Sequence, residues 1–160
     1  MLYLDSSALV KRYILETGTE NLNAKLRVEE KTGSPVFTSV LAYAEIHATI
    51  RRRCEARLLS EKEASQIQDQ FDADWLLTLT ATELSVDVLG TIRDVLKKVH
   101  LKSADAIHLA SALWLQDSMK LGKRFGQNPK NSLVFVCSDR QLNEAALHFG
   151  LEVFDPEKTR

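Results

Sequence analysis

Four acidic side chains lie where a fold of alternating strands and helices could bring carboxylates together. Asp5 and Asp139 each follow a short apolar stretch and precede a predicted helix. Asp105 lies near the start of an almost wholly apolar helix, where an unpaired buried carboxylate is costly. Glu45 lies about two turns into another predicted helix. Because the carboxyl ends of parallel strands and the starts of the following helices share one edge of a sheet, these four side chains are expected to converge there.

Each acid taken alone also has an ordinary structural explanation. Asp5 and Asp139 suit the position before a helix, where a side chain accepts a backbone N–H, and Ser138 could perform that role in place of Asp139. Asp105 suits the positive end of a helix dipole, and Glu45 suits a solvated helix face. The expected convergence of all four is what distinguishes a functional site from these separate roles.

Converging carboxylates without lysine partners would repel one another unless a divalent cation neutralised them. Oxygen ligands with few histidines suit Mg²⁺ or Mn²⁺. Such ions bind phosphate groups, activate water and stabilise a leaving oxygen. The chemistry that best matches the pattern is therefore metal-assisted hydrolysis of phosphodiester bonds.

The elements that must position these acids alternate between short apolar strands and helices. This alternation predicts right-handed crossovers and a mostly parallel sheet. Continuous apolar strands such as residues 133–137 suit a sheet that is covered on both faces, so the predicted fold class is α/β. The predicted strands are residues 2–4, 36–38, 75–79, 133–137 and 151–154.

Several helical segments have limits that matter for the site. The first helix is expected over residues 6–16, with Lys11 on its polar side, and another over residues 82–99. Residues 60–74 begin with a Ser-x-x-Glu capping box and are predicted to be helical. Residues 117–131 are polar and are expected to form an exposed connection.

Composition and charge restrict the class of protein. The 160-residue chain is 44% hydrophobic and 27% charged, which fits a single globular domain over residues 1–160. The net charge of -1 provides no general basic field for nucleic acid, so polyanion binding would need local patches or bound cations. No apolar run reaches the roughly 20 residues of a membrane span. Cys54 and Cys137 lack a metal-type spacing and there is no signal peptide, so reduced thiols and a cytoplasmic location are expected.

Four stretches of the chain carry a family resemblance. They are residues 3–11 (YLDSSALVK), 39–45 (SVLAYAE), 101–110 (LKSADAIHLA) and, less distinctively, 136–142 (VCSDRQL). In this order they resemble the PIN-domain ribonucleases, particularly the VapC-type toxins of bacterial and archaeal toxin–antitoxin pairs. The resemblance implies a three-layer α/β/α fold with a five-stranded parallel sheet in the order 3-2-1-4-5. It also implies endoribonuclease activity that depends on Mg²⁺ or Mn²⁺, homodimerisation, and inhibition by a cognate antitoxin.

Residue by residue, the resemblance assigns the acidic constellation of the family to Asp5, Glu45, Asp105 and Asp139. Ser7 matches the small hydroxyl residue two positions after the first acid, and Ser103 matches the hydroxyl position two before the third. Ser138, beside the fourth acid, is assigned a supporting role with them. Cys137 stands where threonine is common in the family, and Asn143 stands where a further acid sometimes occurs.

Basic side chains on the helix that carries Glu45 could contact RNA phosphates in a salt-dependent way. Arg51, Arg52 and Arg53 follow Glu45 by six to eight residues, or roughly 9–12 Å along a helix. A solvated helix face is the ordinary explanation for each of them. His108 is interpreted as a core or supporting histidine rather than a general base, since a metal ion can itself activate water.

The leading hypothesis is a VapC-type endoribonuclease that acts on RNA, pairs with an antitoxin, forms a homodimer and does not bind a membrane. Asp5 and Asp105 would be its primary metal ligands, with Glu45 and Asp139 completing the site directly or through water. One alternative is a PIN-like fold kept for binding or assembly without catalysis. Another is a phosphatase with an aspartyl nucleophile, although such enzymes require a second Asp at the position where this chain has Ser7.

Overall fold

The computed structural model describes residues 1–124 and 132–158, in which short strands and helices alternate. The strands are β1 (Leu2–Leu4), β2 (Val36–Ser39), β3 (Leu79–Thr82), β4 (Val134–Val136) and β5 (Glu152–Phe154). The helices are α1 (Ser6–Leu9), α2 (Thr19–Thr32), α3 (Leu41–Glu55), α4 (Glu61–Leu77), α5 (Val86–Leu96), α6 (Ser103–Arg124) and α7 (Arg140–His148), with a 3₁₀ turn at Val10–Arg12. Within the described residues, none of these helices is long and apolar enough to cross a membrane.

The strands form one five-stranded sheet in the order β3-β2-β1-β4-β5, and every neighbouring pair is parallel. This confirms both the predicted fold class and the strand order that the family resemblance implied. The central strand β1 pairs with β2 on one side and with β4 on the other. Leu4 lies opposite Val136, so the residues that follow them, Asp5 and Cys137, leave the sheet side by side.

The central strands β1 and β4 are buried on both faces, as their continuous apolar sequences predict. All three residues of β1 are buried, with Leu2 and Leu4 in one hydrophobic cluster and Tyr3 in another. The Tyr3 ring stacks on Phe135 of β4 with its centroid 5.6 Å away. Because successive side chains of a strand point to opposite faces, β1 contributes to the core on both sides and is held firmly just before Asp5.

The prediction of a strand over residues 75–79 is wrong. Helix α4 continues to Leu77, because Trp75 packs against Phe71, one helical turn earlier, and against Tyr43 of α3. A short apolar run fits the end of a buried helix as well as a strand, and here tertiary packing decides between them. The third strand begins only at Leu79, which also moves the start of the next helix from residue 82 to Val86, after Ser85 as its cap.

Two other predicted segments differ from the structure. The first helix does not run to residue 16, since α1 ends at Leu9 and a 3₁₀ turn follows it. Lys11 in that turn is 3% exposed rather than on a polar face. Helix α6 continues to Arg124, so the predicted connection is wrong for residues 117–124, which are helical, although residues 117, 118 and 120 are exposed as predicted. Residues 125–131 lie outside the described residues. The predicted capping box at residues 60–63 is confirmed.

The turn after β5 packs closely on the loop before α2. Asn21 donates from Nδ2 to the carbonyl oxygen of Pro156 at 2.8 Å. Gly18 has φ +88°, and a Cβ added there would lie 2.8 Å from both the carbonyl carbon and oxygen of Pro156. We expect Gly18→Ala to lower the free energy of unfolding by about 1–3 kcal/mol, because the change adds backbone strain and a steric clash. Urea denaturation measures the effect.

Gly90→Ala is the matched control for this prediction. Gly90 lies inside α5, and, apart from the adjacent residues and the backbone of the helix itself, no atom of the described residues lies within 4 Å of the added Cβ. Alanine is favoured over glycine in a helix interior by about 0.5–1 kcal/mol, so this variant should be more stable than the wild type. Similar free energies of unfolding for the two variants would contradict the close packing at Gly18.

Candidate active site

A cleft of about 730 Å³ opens at the edge of the sheet where β1 and β4 end. Its lining includes all four acids that the sequence singles out: Asp5, Glu45, Asp105 and Asp139. They come from four different elements, namely the end of β1, helix α3, the first turn of α6 and the residue that precedes α7. The fold thus brings these carboxylates to one cleft, while their chemical roles stay predictions.

Asp5 is held rigidly at the bottom of the cleft, with 5% of its surface exposed. It is the N-cap of α1, and its Oδ1 accepts the backbone N–H of Ala8 at 2.9 Å. The Ser7 hydroxyl donates to the Asp5 carboxylate and lies 2.9 Å from both of its oxygens. Burial nevertheless raises the pKa of Asp5 above its usual value, against the lowering effect of His108. The capping role and a place in the cleft therefore coexist.

Asp105 has less compensation for its charge than Asp5. Burial raises the pKa of its carboxyl group, and the nearby charge of Asp139 raises it further. Asp5 acts in the same direction, and Lys102 opposes it only in part. Among the described residues, no hydrogen bond contributes to the pKa of Asp105. The charges of Asp139 and Asp5 therefore both disfavour ionisation of Asp105.

Asp139 caps helix α7, as its ordinary explanation proposed. Its Oδ1 accepts the backbone N–H of Leu142 at 2.8 Å, whereas Ser138 does not cap this helix. The backbone N–H of Asp139 donates to the sulfur of Cys137 at 3.2 Å. Burial raises the pKa of the Cys137 thiol, which therefore stays protonated, so the residue that replaces the family's common threonine serves here as a buried packing and hydrogen-bonding group.

Glu45 enters the cleft from α3 and is fixed by two donors. Its Oε2 atom lies 2.8 Å from Nε2 of His108 and accepts the hydroxyl hydrogen of Ser6. Burial would raise the pKa of Glu45, but these hydrogen bonds from His108 and Ser6 outweigh it and lower the pKa. Arg52 also lowers it by its charge. Glu45 is thus kept ionised at neutral pH.

The three predicted supporting serines are placed differently. Ser7 connects the two sides of the cleft, because its hydroxyl contacts Asp5 and accepts the backbone N–H of Ser138 at 2.9 Å. Ser138 lines the cleft, and its buried Oγ atom has no hydrogen-bond partner within the described residues. Ser103 is exposed at the start of α6 and is not among the residues that line the cleft.

The donor atoms of this cleft fit a divalent cation by their chemistry. They are carboxylate and hydroxyl oxygens, which Mg²⁺ and Mn²⁺ prefer. Among the described residues they include a carboxylate whose charge is only partly compensated, Asp105, and a buried hydroxyl without a hydrogen-bond partner, Ser138. In the part of the chain that the structure describes, no group of three or more His, Cys, Asp or Glu side chains is arranged to hold a metal ion.

The three arginines considered as RNA contacts have separate environments. Arg52 lines the cleft, whereas Arg51 is 65% exposed and pairs with Glu55 at 3.0 Å, one helical turn away. Arg53 forms an ion pair with Glu16. The structure thus singles out Arg52 as the arginine of the three whose side chain reaches the cleft.

Lys11 forms a second positive position at the cleft and is an unexpected one. Its ammonium group lies 2.8 Å from a carboxylate oxygen of Glu16 and 2.6 Å from one of Glu157. Both of these acids also line the cleft. Burial alone would lower the pKa of Lys11, but its hydrogen bonds to these two carboxylates raise it. Lys11 is therefore charged but already neutralised by protein partners.

Sequence reasoning missed part of this arrangement. Ser6 directly follows Asp5, and its position at a helix start was the available signal for a role in the site. The contact between Glu45 and His108 spans 63 residues, and that between Lys11 and Glu157 spans 146. No local spacing could predict either contact, because both depend on how the helices pack over the sheet.

Comparison with known proteins identifies the family. Residues 2–121 match the PIN domain family. Ribonuclease VapC45 and Ribonuclease VapC49 of Mycobacterium tuberculosis are each 30% identical to the chain over 153 residues, which is 96% of this chain and 94% of the relative. Ribonuclease VapC47 of the same organism is 27% identical over 160 residues and the full length of both proteins.

Solved structures share the fold at low sequence identity. One is the structure of FitAB bound to an IR36 DNA fragment, with a TM-score of 0.64 and 17% identity over 100% of this chain and 98% of that chain. Another is VapBC2 from Rickettsia felis bound to a DNA fragment from its promoter, with a TM-score of 0.62 and 14% identity over 97% and 98%. Together with the sequence matches, these findings show that the chain belongs to the PIN-domain family and is of the VapC type.

Proposed function

We propose that the chain is a divalent-metal-dependent endoribonuclease that hydrolyses RNA phosphodiester bonds. The observation that carries this proposal is the convergence of four carboxylates in one cleft, with the charge of Asp105 only partly compensated. The relatives named Ribonuclease VapC, which span nearly the whole chain, support RNA as the substrate. Phosphodiester hydrolysis matches such a site, because the attacking water and the leaving oxygen both develop negative charge that must be stabilised.

The side chains of the cleft would have separate roles in binding the ion and in orienting its ligands. Asp5 and Asp105 would hold the ion, with Glu45 and Asp139 completing the site directly or through water. The ion would supply water activation and neutralisation of phosphate charge when bound. Ser7 would keep the Asp5 carboxylate in a fixed orientation, because its hydroxyl contacts both carboxylate oxygens.

We also propose two protein partners, an antitoxin and a second copy of the chain, in the cytoplasm. The likeness to the FitAB and VapBC2 structures supports an antitoxin partner. Exposed apolar side chains near the edge strand β3 are of the kind that a protein interface covers. They are Leu76, Leu77, Val86 and Leu89.

Cleavage of total cellular RNA with and without EDTA tests the proposed activity. The purified protein should cut RNA at defined internal positions with Mg²⁺ or Mn²⁺, and EDTA should abolish the cutting. Mapping of the new 5′ ends would give the cleavage sites. Full cleavage in EDTA would contradict metal dependence, and absence of both cleavage and metal binding in calorimetry would favour a PIN-like fold used only for binding.

Arg52 is expected to contact an RNA phosphate at the cleft. Arg52→Ala should weaken RNA binding nearly uniformly across sequences and reduce the slope of log K against log salt by about 1, as for the loss of one phosphate contact. Fluorescence anisotropy with a labelled RNA, at several salt concentrations, measures both quantities. Binding should be measured with EDTA present so that cleavage does not interfere.

Arg51→Ala is the matched control for this measurement. It removes the same charge one residue away, but Arg51 points to Glu55 and is not among the cleft residues. Its effect on the salt dependence should be clearly smaller than that of Arg52→Ala. Equal effects of the two substitutions would show that RNA binding depends on the general charge of α3 rather than on a contact in the cleft.

A further inference from the structure

His108 is a buried histidine whose two ring nitrogens both have specific partners. It is 2% exposed and lies in α6, one helical turn after Asp105. Its Nδ1 atom lies 3.2 Å from the hydroxyl oxygen of Tyr3. Its Nε2 atom lies 2.8 Å from Oε2 of Glu45 and 3.0 Å from Oγ of Ser6. A chain of contacts therefore leads from the centre of the sheet to an acid of the cleft.

The partners determine where the ring proton lies. An ionised carboxylate only accepts hydrogen bonds, so Nε2 must carry a hydrogen to bond Glu45. Nδ1 lies beside the Tyr3 hydroxyl, which stays protonated because burial raises the pKa of Tyr3. A hydroxyl can both donate and accept, so this contact holds the ring whether or not Nδ1 carries a hydrogen. The contact with Glu45 thus requires a hydrogen on Nε2.

The support behind His108 is rigid. Tyr3 is fully buried, belongs to the central strand β1, and stacks on Phe135 of the neighbouring strand. The Tyr3 and His108 rings meet edge to face, with their centroids 6.1 Å apart. The position of the imidazole is therefore set by the same strand that ends at Asp5, so the acids delivered by β1 and by α3 are held in a fixed relation.

We propose that His108 is a positioning residue that holds Glu45 by its Oε2 atom and leaves Oε1 available to the cleft. Among the described residues, Oε2 receives both donors, from His108 and Ser6, and no hydrogen bond is found to Oε1. Histidines and carboxylates that orient metal ligands commonly act in this way. The inference rests on the proposed function in one respect, namely that Glu45 takes part in catalysis.

A packing role alone would not require this arrangement. A buried histidine that serves only the core needs its polar atoms satisfied, and any backbone carbonyl could do so. Here Nε2 meets a cleft acid whose pKa is lowered by its hydrogen bonds, while Nδ1 meets a tyrosine of the central strand. The contacts connect the site to the most buried strand of the fold rather than ending in the core.

The hydrogen on Nε2 can be tested without RNA or metal. Long-range ¹H–¹⁵N NMR spectra of the uniformly labelled, metal-free protein should show a proton on Nε2 of His108. A wild-type ring without a proton on Nε2 would overturn the proposal.

Two substitutions test the consequence for the reaction. His108→Leu removes the donor to Glu45, and kcat for RNA cleavage should fall by about 10- to 100-fold with little change in KM. His108→Gln retains an amide N–H at about the reach of Nε2 and should recover part of the loss. If His108→Gln and His108→Leu lose equal activity while both stay folded, the proposal is wrong.

A double substitution separates positioning of Glu45 from a general effect on the fold. In a Glu45→Gln background, His108→Leu should cause little additional loss, because its target is already changed. Independent, multiplicative losses would overturn the proposal. Failure of the proposed function is distinguishable from this, since a wild-type protein that cleaves no RNA would still show the proton on Nε2 of His108.

Discussion

Asp5→Asn is expected to reduce metal-dependent RNA cleavage by more than about 100-fold, beyond the range typical of residues that only support a metal ligand. The substitution removes one negative charge from the bottom of the cleft and leaves the shape of the side chain almost unchanged. Asn is as good an N-cap as Asp, so the hydrogen bond to Ala8 can be retained and α1 should stay folded. Initial rates of cleavage at saturating Mg²⁺ measure the effect.

The stability of this variant is a second readout. Burial raises the pKa of Asp5, so its ionised form costs folding free energy at neutral pH, and Asn removes that cost. Asp5→Asn should therefore unfold at the same temperature as the metal-free wild type or higher. Asp87→Asn makes the same chemical change in the first turn of α5, away from the cleft, and should leave the rate unchanged. Undiminished cleavage by Asp5→Asn would refute its assignment as a ligand.

A divalent ion at about 100 times its dissociation constant should stabilise the wild type by about 2.7 kcal/mol, which is roughly 5–10 °C in Tm for a chain of this size. The stabilisation arises because the folded protein gathers carboxylates that the unfolded chain does not. Asp105→Asn should lose most of this shift, since Asp105 has the least compensation from protein groups. Thermal unfolding followed by circular dichroism, with a titration of Mg²⁺ or Mn²⁺, makes the comparison. Equal Tm shifts in both proteins would contradict a role of Asp105 in ion binding.

The same pair of proteins should respond differently to pH in the absence of metal. The pKa of Asp105 is raised in the folded protein, so its proton is bound more tightly there than in the unfolded chain. The wild type should therefore lose stability relative to Asp105→Asn as the pH rises above the ordinary carboxyl pKa of about 4. The two proteins should differ least below that pH. A difference that shrinks with rising pH would have the wrong sign.

The local features of the site could be predicted from sequence because they depend on local physics. An apolar strand followed by an acid and a helix start defines the junctions at Asp5 and Asp139, and both acids cap their helices as well as line the cleft. The capping box before α4 is a short-range signal of the same type. Parallel strands then require that both junctions lie at one edge, which is why the convergence could be expected before any coordinates.

Features that depend on tertiary packing could not be predicted in this way. The residues around Trp75 are compatible with a strand or a helix, and packing on Phe71 and Tyr43 selects the helix. Lys11 looks like a surface lysine in its local sequence, yet Glu157 reaches it from the far end of the described chain. Arg51 and Arg52 are equivalent by composition, and only the rotation of α3 directs Arg52 to the cleft.

The central position of β1 also determines when the cleft can form during synthesis of the chain. Asp5 is made before the other three acids, but its backbone N–H donates to the carbonyl oxygen of Val136 at 3.1 Å, on a strand that emerges from the ribosome much later. A nascent chain that already contains Asp5, Glu45 and Asp105 lacks the neighbour on which β1 must align. Such long-range pairing is slow, because the chain must lose the entropy of closing a long loop before the strand contacts can stabilise it. The four-carboxylate cleft is therefore complete only after β4 and Asp139 have been translated, and shorter nascent chains would carry the earlier acids without the geometry that unites them.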